Sequence, residues 1–316
     1  MRSTIFAVND SPYCLWEVDV ADRNRIFLDG LDPEYFSYIL DKHIESEDDK
    51  RALVAIRSGL HHATETLFSL LGAFVQAPEC AYAWIGKCSS ADLRTFVDRV
   101  TRGDTSLISK IRLPVMSWES IAAIVFYAYQ PDSERQARTV ERFGGLWRSL
   151  SHELLDQSAI DEYNALKHGF RIRSGGFALM AGTEHSYGVP PPASEMQMIG
   201  KSEYGATFLK IENLRTKQLG PHIRSRQTSI NWSAERVILQ FQLVCMSINN
   251  VVSGLKVLNG YPAGSCKFLR PQEDVDFDRP WGYSTGTTSM NVDYVLDEES
   301  LPLVTKEELL AKLRAK

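Results

Sequence analysis

Residues 163–173 read YNALKHGFRIR, and they gather an amide, an imidazole and three cations into one short stretch. Asn164 and His168 are four residues apart, so on a helix they share a face, and Tyr163 and Lys167 share the adjacent one. His168 is expected in the last helical turn, where unsatisfied carbonyls favour the protonated imidazole. Arg171 and Arg173 follow at a two-residue step and would point the same way from an extended segment. A compact set of donors around a titratable imidazole suits a phosphate. It also suits metal-independent RNA cleavage, with His168 moving the 2′-OH proton, Asn164 orienting it or the phosphate, and Lys167, Arg171 and Arg173 stabilising phosphorane charge. The same residues also suit an ordinary helix end, closed by Gly169.

Three other clusters carry polar chemistry. In RSGLHHATE (57–65), His61 and Glu65 lie one helical turn apart. The spacing predicts a local hydrogen-bonded pair, because a metal would need further ligands from another helix. In WRSLSHELLD (147–156), Arg148, His152 and Asp156 repeat every four residues as a polar ladder. The run LRTKQLGPHIRSRQ (214–227) is the most basic in the chain. Its Arg224 and Arg226 are candidates for contact with RNA phosphates, and the run itself is expected to be a solvated loop.

The totals limit the alternatives. The chain has 316 residues with a formal net charge of -5, so it lacks the overall basic footprint of a nucleic-acid binder and any such contact must be a local patch. Its five cysteines are widely spaced and form no CxxC pair, which favours reduced thiols over a disulfide framework or a zinc site. No metal and no cofactor is expected. No apolar run approaches the roughly 18 residues of a membrane span, and the N-terminal segment lacks the apolar core of a signal peptide, so the expected setting is the cytoplasm with no membrane. Phosphate-binding glycine loops, nucleophile elbows and HExxH are absent from the sequence.

Periodicity predicts the elements that would hold these residues. Residues 1–31 alternate weakly and read as short strands or an extended arm. Leu53, Ile56, Leu60, Ala63, Leu67, Leu70 and Phe74 fall on one stripe of a long helix that ends before Pro78. One or two shorter helices follow over 81–103, then a helix capped by Ser117 and another over 134–155. Ser158 is expected to cap the helix that carries the cluster, with Asp161 and Glu162 in its first turn. GGFALMAG (175–182) and ATFLKIENL (206–214) read as a β-hairpin whose connection holds the triplet Pro190–Pro192. A long helix over 231–260 buries Val237, Phe241, Val244, Ile248, Val251 and Leu255. Residues 261–316 read as an irregular, partly acidic wrapping tail ending in a short helix. The expected fold class is mainly α: one helical bundle over 32–260 with a β-hairpin inserted at about 175–214, before the last long helix.

A helical bundle carrying Asn-x-x-x-His on one helix resembles the HEPN superfamily, whose members are metal-independent endoribonucleases of toxin and antiviral defence systems, or non-catalytic RNA-binding relatives. Asn164 and His168 match the polar residue and the His of that motif, and Tyr163 stands where the family has Arg. Arg57 to His62 has the same gap with Ser58 in the polar position, and Arg215 to His222 fits a looser six-residue gap. The resemblance implies RNA as the partner, catalysis by His168 with Asn164, and pairing as a homodimer. A different class of function remains open at this stage. In it the cluster is a structural clamp in a non-enzymatic interaction protein, which would meet a protein partner through the proline-rich loop or the acidic tail.

Overall fold

The computed structural model describes residues 2–168, 171–214, 222–292 and 305–315. The chain divides into two compact units, Met1–Lys167 with Ser233–Ser284, and His168–Trp232 with Thr285–Lys316.

The first unit opens with an antiparallel hairpin, β1 (Arg2–Val8) and β2 (Ser11–Glu17), in register from Arg2↔Glu17 to Val8↔Ser11. Its turn places Asn9 at φ 54°, the left-handed region that Asn tolerates better than most residues. The extended structure expected up to residue 31 stops at Glu17. Val20–Gly30 is a helix, α1, because Asp19 caps it at the backbone N–H of Asp22 and Asn24 and Leu28 turn inward at a four-residue step. Then come α2 (Tyr35–Ile44), α3 (Asp49–Gln76), α4 (Ala81–Lys87), α5 (Ser90–Thr101), α6 (Trp118–Val125), α7 (Ser133–Leu155) and α8 (Gln157–Lys167). After the second unit is threaded, α9 (Ala234–Leu258) completes the first.

The apolar stripes explain the packing. All seven predicted residues of α3 are buried, as are the six of α9, and these two helices pack along each other as the centre of the unit. Among the described residues, α9 is the one helix long and apolar enough to cross a membrane, but 78% of its qualifying window is buried inside the protein, as befits a core helix. On α7, Phe143, Trp147 and Leu150 face the core, and the Trp147 indole N–H donates to Ser247 Oγ of α9 at 3.1 Å. Ser117 caps α6 as expected. The start of α8 differs: Asp156, whose side chain accepts from the Ala159 N–H at 3.0 Å, precedes the helix instead of Ser158. Only one residue separates α7 from α8, so the chain has no room for a later cap.

The second unit carries the main correction to the fold class. Among the described residues helix accounts for 55% and strand for 17%, in three small antiparallel sheets, so the protein is mixed α/β and not a mainly α bundle with one inserted hairpin. Strands β3 (Ile172–Ser174), β6 (Gly205–Leu214), β7 (His222–Asn231) and β8 (Ser289–Val292) form a sheet in the order β3-β6-β7-β8. Separately, β4 (Ala178–Ala181) pairs with β5 (Gln197–Lys201). The two predicted strands therefore do not pair with each other. Each finds a different partner, and β7 arises from the basic run expected to be a loop. A short helix, α10 (Lys306–Arg314), lies where the sequence places it, with Thr305 as its cap.

Candidate functional site

On α3, His62, Glu65, Thr66 and Ser69 recur at three- and four-residue steps and form a polar stripe beside the buried one. The stripe lines a cavity of about 580 Å³ within the first unit. Its other walls are largely apolar, with Phe27, Phe36, Ile85, Leu93, Ile248 and Val252 contributed by five other segments. Lys167, at the end of α8, and Cys88, Ser89 and Ser90, at the start of α5, complete the polar side.

Glu65 organises that side. It accepts from Ser90 Oγ at 3.1 Å and from the Tyr163 hydroxyl at 3.0 Å, and Lys167 Nζ stands 3.8 Å away. Burial, then the adjacent Glu65 charge, holds the Tyr163 phenol well above its ordinary pKa, so it stays a donor. Ser89 is engaged with Asp92 in a capping box at the start of α5. The Cys88 thiol is pushed up to about 12, first by burial and then by Asp92 and Glu65, so it is held protonated. His62 differs from its neighbours. Its ring meets Phe36 edge-on at 5.2 Å, and among the described residues no hydrogen bond or ion pair engages it.

Beneath the stripe lies a buried ionic cluster. Arg57 grips Glu162 of α8 with two bonds, Nε to Oε1 at 2.9 Å and Nη2 to Oε2 at 2.7 Å. His61 Nε2 is 3.5 Å from the same carboxylate and has no hydrogen-bond partner of its own. The Tyr163 ring stacks on His61 at 5.1 Å. Burial opposes the charge on Glu162, but Arg57, then His61, hold its carboxyl far below the usual range. His61 is lowered by burial and by the Arg57 charge, which favours the neutral ring. Burial also works to lower Arg57, and Glu162 outweighs it, so the guanidinium is raised.

The residues expected to form one anion site are divided between the two units, Asn164 and Lys167 in the first and His168, Arg171, Arg173, Arg224 and Arg226 in the second. Asn164 is exposed on α8, and Lys167 lies over the Tyr163 ring at 5.2 Å while lining the cavity. His168 is not helical: α8 stops at Lys167, and His168 is an exposed turn residue that begins the second unit. Arg171 precedes β3, and Arg173 lies in β3 opposite Thr207; both are exposed. Arg224 and Arg226 each reach Glu212 across the β6–β7 ladder at 3.2 Å, joined by Lys210 at 3.5 Å. These arginines thus balance a carboxylate of their own sheet. Gly169, Arg215 and the His222 side chain, on which other expectations rested, lie outside the described residues.

Two expected pairings are replaced by others. His61 and Glu65 do not pair, since His61 meets Glu162 and Tyr163 while Glu65 meets Ser90 and Tyr163. Among the described residues no group of three or more His, Cys, Asp and Glu side chains gathers to hold a metal. Arg148 pairs with Glu119 of α6 at 2.5 Å, and Asp156 caps α8, so the 147–156 ladder serves helix packing. Sequence reasoning missed the burial of Glu162 and the continuation of the His62 and Glu65 face through Thr66 and Ser69. The signal for Glu162 was its place three and four residues before Ala165 and Leu166, the buried face of α8.

Comparison of the chain with protein-family models, with curated proteins and with solved structures finds no match.

Proposed function

We propose that the first unit is a small-molecule-binding unit whose ligand occupies the cavity along the polar stripe of α3. The observation that carries this reading is a cavity of drug-ligand size with mostly apolar walls and a few convergent polar groups, including an imidazole, His62, that no hydrogen bond or ion pair engages among the described residues. The chemistry is recognition. The cavity's thiol is held protonated, its Ser89 and Ser90 hydroxyls are bonded to Asp92 and Glu65, and Tyr163 is kept as a donor. Replacing Ser69 with Phe fills the cavity from a half-buried position while leaving the apolar stripe intact. In a thermal-shift screen of small organic molecules, ligands that raise the melting temperature of the wild type should lose that effect in Ser69→Phe. Equal shifts in both proteins would rule the cavity out as their site.

A second reading, RNA binding or metal-independent RNA cleavage of the HEPN-like kind, is favoured by the exposure of His168, Arg171 and Arg173 in the second unit. All three are accessible to a polyanion, within a short length of chain. His168→Ala should then abolish cleavage of single-stranded RNA at an unchanged melting temperature. Cleavage at the wild-type rate in that variant would exclude His168 as the acid or base.

A further inference from the structure

The charges inside the cavity select the kind of head group it takes. Glu65, 21% exposed, and Lys167, 46% exposed, form a pair at 3.8 Å, and Asp32, the other charged lining residue, is exposed and outside that pair. An anionic head would meet Glu65 with Lys167 already engaged. A cationic head would meet Lys167. Either would set a like charge against one member of the pair, which is unfavourable. An uncharged head meets a different prospect. Glu65 has lone pairs beyond those taken by Ser90 and Tyr163, Lys167 has N–H groups to donate, and His62 both accepts and donates in its neutral form.

We infer, on the reading that this cavity is a ligand site, that its natural ligand is an uncharged, mainly apolar molecule with a hydrogen-bond donor and acceptor side by side on one edge, of the carboxamide or nucleobase-like heterocycle class. Its donor faces Glu65, its acceptor faces Lys167 or His62, and its apolar body lies against Phe36, Leu93 and Ile248. Phosphorylated molecules are disfavoured at the head position, since among the described residues no arginine lines the cavity and its one lysine sits beside a carboxylate.

The test uses three probes with one body and three heads: benzamide, benzoate and benzylamine. Each is titrated into the full-length protein at neutral pH and followed by saturation-transfer NMR. Benzamide should bind at least about tenfold more tightly than either charged probe, a preference that corresponds to the loss of one well-placed charged hydrogen bond. Glu65→Gln should weaken benzamide by about tenfold, and the wild-type comparison of the three probes stands even if that variant folds poorly. Benzoate or benzylamine binding as well as benzamide, with the signal lost in Ser69→Phe, would overturn the head-group inference and leave the cavity reading standing. No binding by any probe, or binding unaffected by Ser69→Phe, would overturn both.

Discussion

Replacing Glu162 with Ala is expected to destabilise the first unit by about 3–5 kcal/mol, the range for breaking a buried ion pair from one side. The Glu162 side chain is 2% exposed and that of Arg57 15%, so the guanidinium left behind has almost no access to water. Its two short bonds to the carboxylate have no substitute, since the Ala side chain can neither accept hydrogen bonds nor refill the volume. The double variant Arg57→Met with Glu162→Leu should recover most of that loss. Replacing both partners with apolar groups of similar size removes the desolvation cost along with the attraction. Urea denaturation of the two singles and the double decides the matter. A Glu162→Ala cost under about 1 kcal/mol, or a double variant as unstable as the sum of the singles, would contradict a buried ion pair.

The same cluster gives the unit a pH dependence with a definite sign. The Glu162 carboxyl is depressed in the fold, so its contribution is complete above the unfolded value of roughly 4.3 and is lost as pH falls through the lower folded value. His61 is also depressed, which means protonation favours the unfolded chain. Its contribution is complete above roughly 6.5 and declines as pH falls from there toward its folded value. Both effects run in one direction, so acidification weakens the contact of α8 with α3 in two steps, first through His61 and then through Glu162. Tyr163 closes the same contact from above, by its stack on His61 and its bond to Glu65. The proposed resemblance to the HEPN superfamily would expect an arginine at the position of Tyr163. In this chain the position is one of the fastenings of α8.

What the sequence made legible was local. The stripes of α3 and α9 and the cap at Ser117 depend on spacing within a few residues, and each is found where spacing puts it. The strands were legible only in part. In IRSRQ of β7, the alternating arginines look like a solvated run until Glu212, on the neighbouring strand, is brought opposite Arg224. Nothing within the run announces that partner. The cavity is less legible still, because its walls come from residue 27 to residue 252 and exist only once the helices are packed. Half of its chemistry was visible as the His and Glu of RSGLHHATE, but which histidine faces the cavity depends on a single residue of helical phase. His61 turns toward α8, and His62 turns into the cavity.

Gln76→Leu is expected to cost about 3–5 kcal/mol, although no apolar contact and no charge is lost. Gln76 ends α3, is fully buried, and uses all four of its hydrogen-bonding positions. Its Oε1 accepts from the Asn9 backbone N–H at 2.9 Å and from the Trp84 indole at 3.1 Å. Its Nε2 donates to the Asn9 carbonyl at 3.0 Å and to the Ile108 carbonyl at 2.9 Å. Leucine fills the same volume and satisfies none of these groups. Two donors and two acceptors from the hairpin turn, α4 and the loop before α6 are then stranded, each at a desolvation cost of roughly 1–3 kcal/mol before relaxation. The loss should also be localised. Asn9 holds its positive φ while both its backbone groups are clasped by one side chain, so without Gln76 the hairpin is the first element to open. Hydrogen exchange of the amides of Phe6, Val8 and Asn9 should accelerate in Gln76→Leu far more than that of Leu67 or Val251 in the helical core. Gln76→Glu keeps the two acceptor roles and loses both donor roles, so it should fall between the wild type and Gln76→Leu at neutral pH only if the carboxylate is tolerated without a counter-charge. If it proves worse than Gln76→Leu, desolvation of the charge outweighs the two bonds retained, which is the order expected for a site this deeply buried.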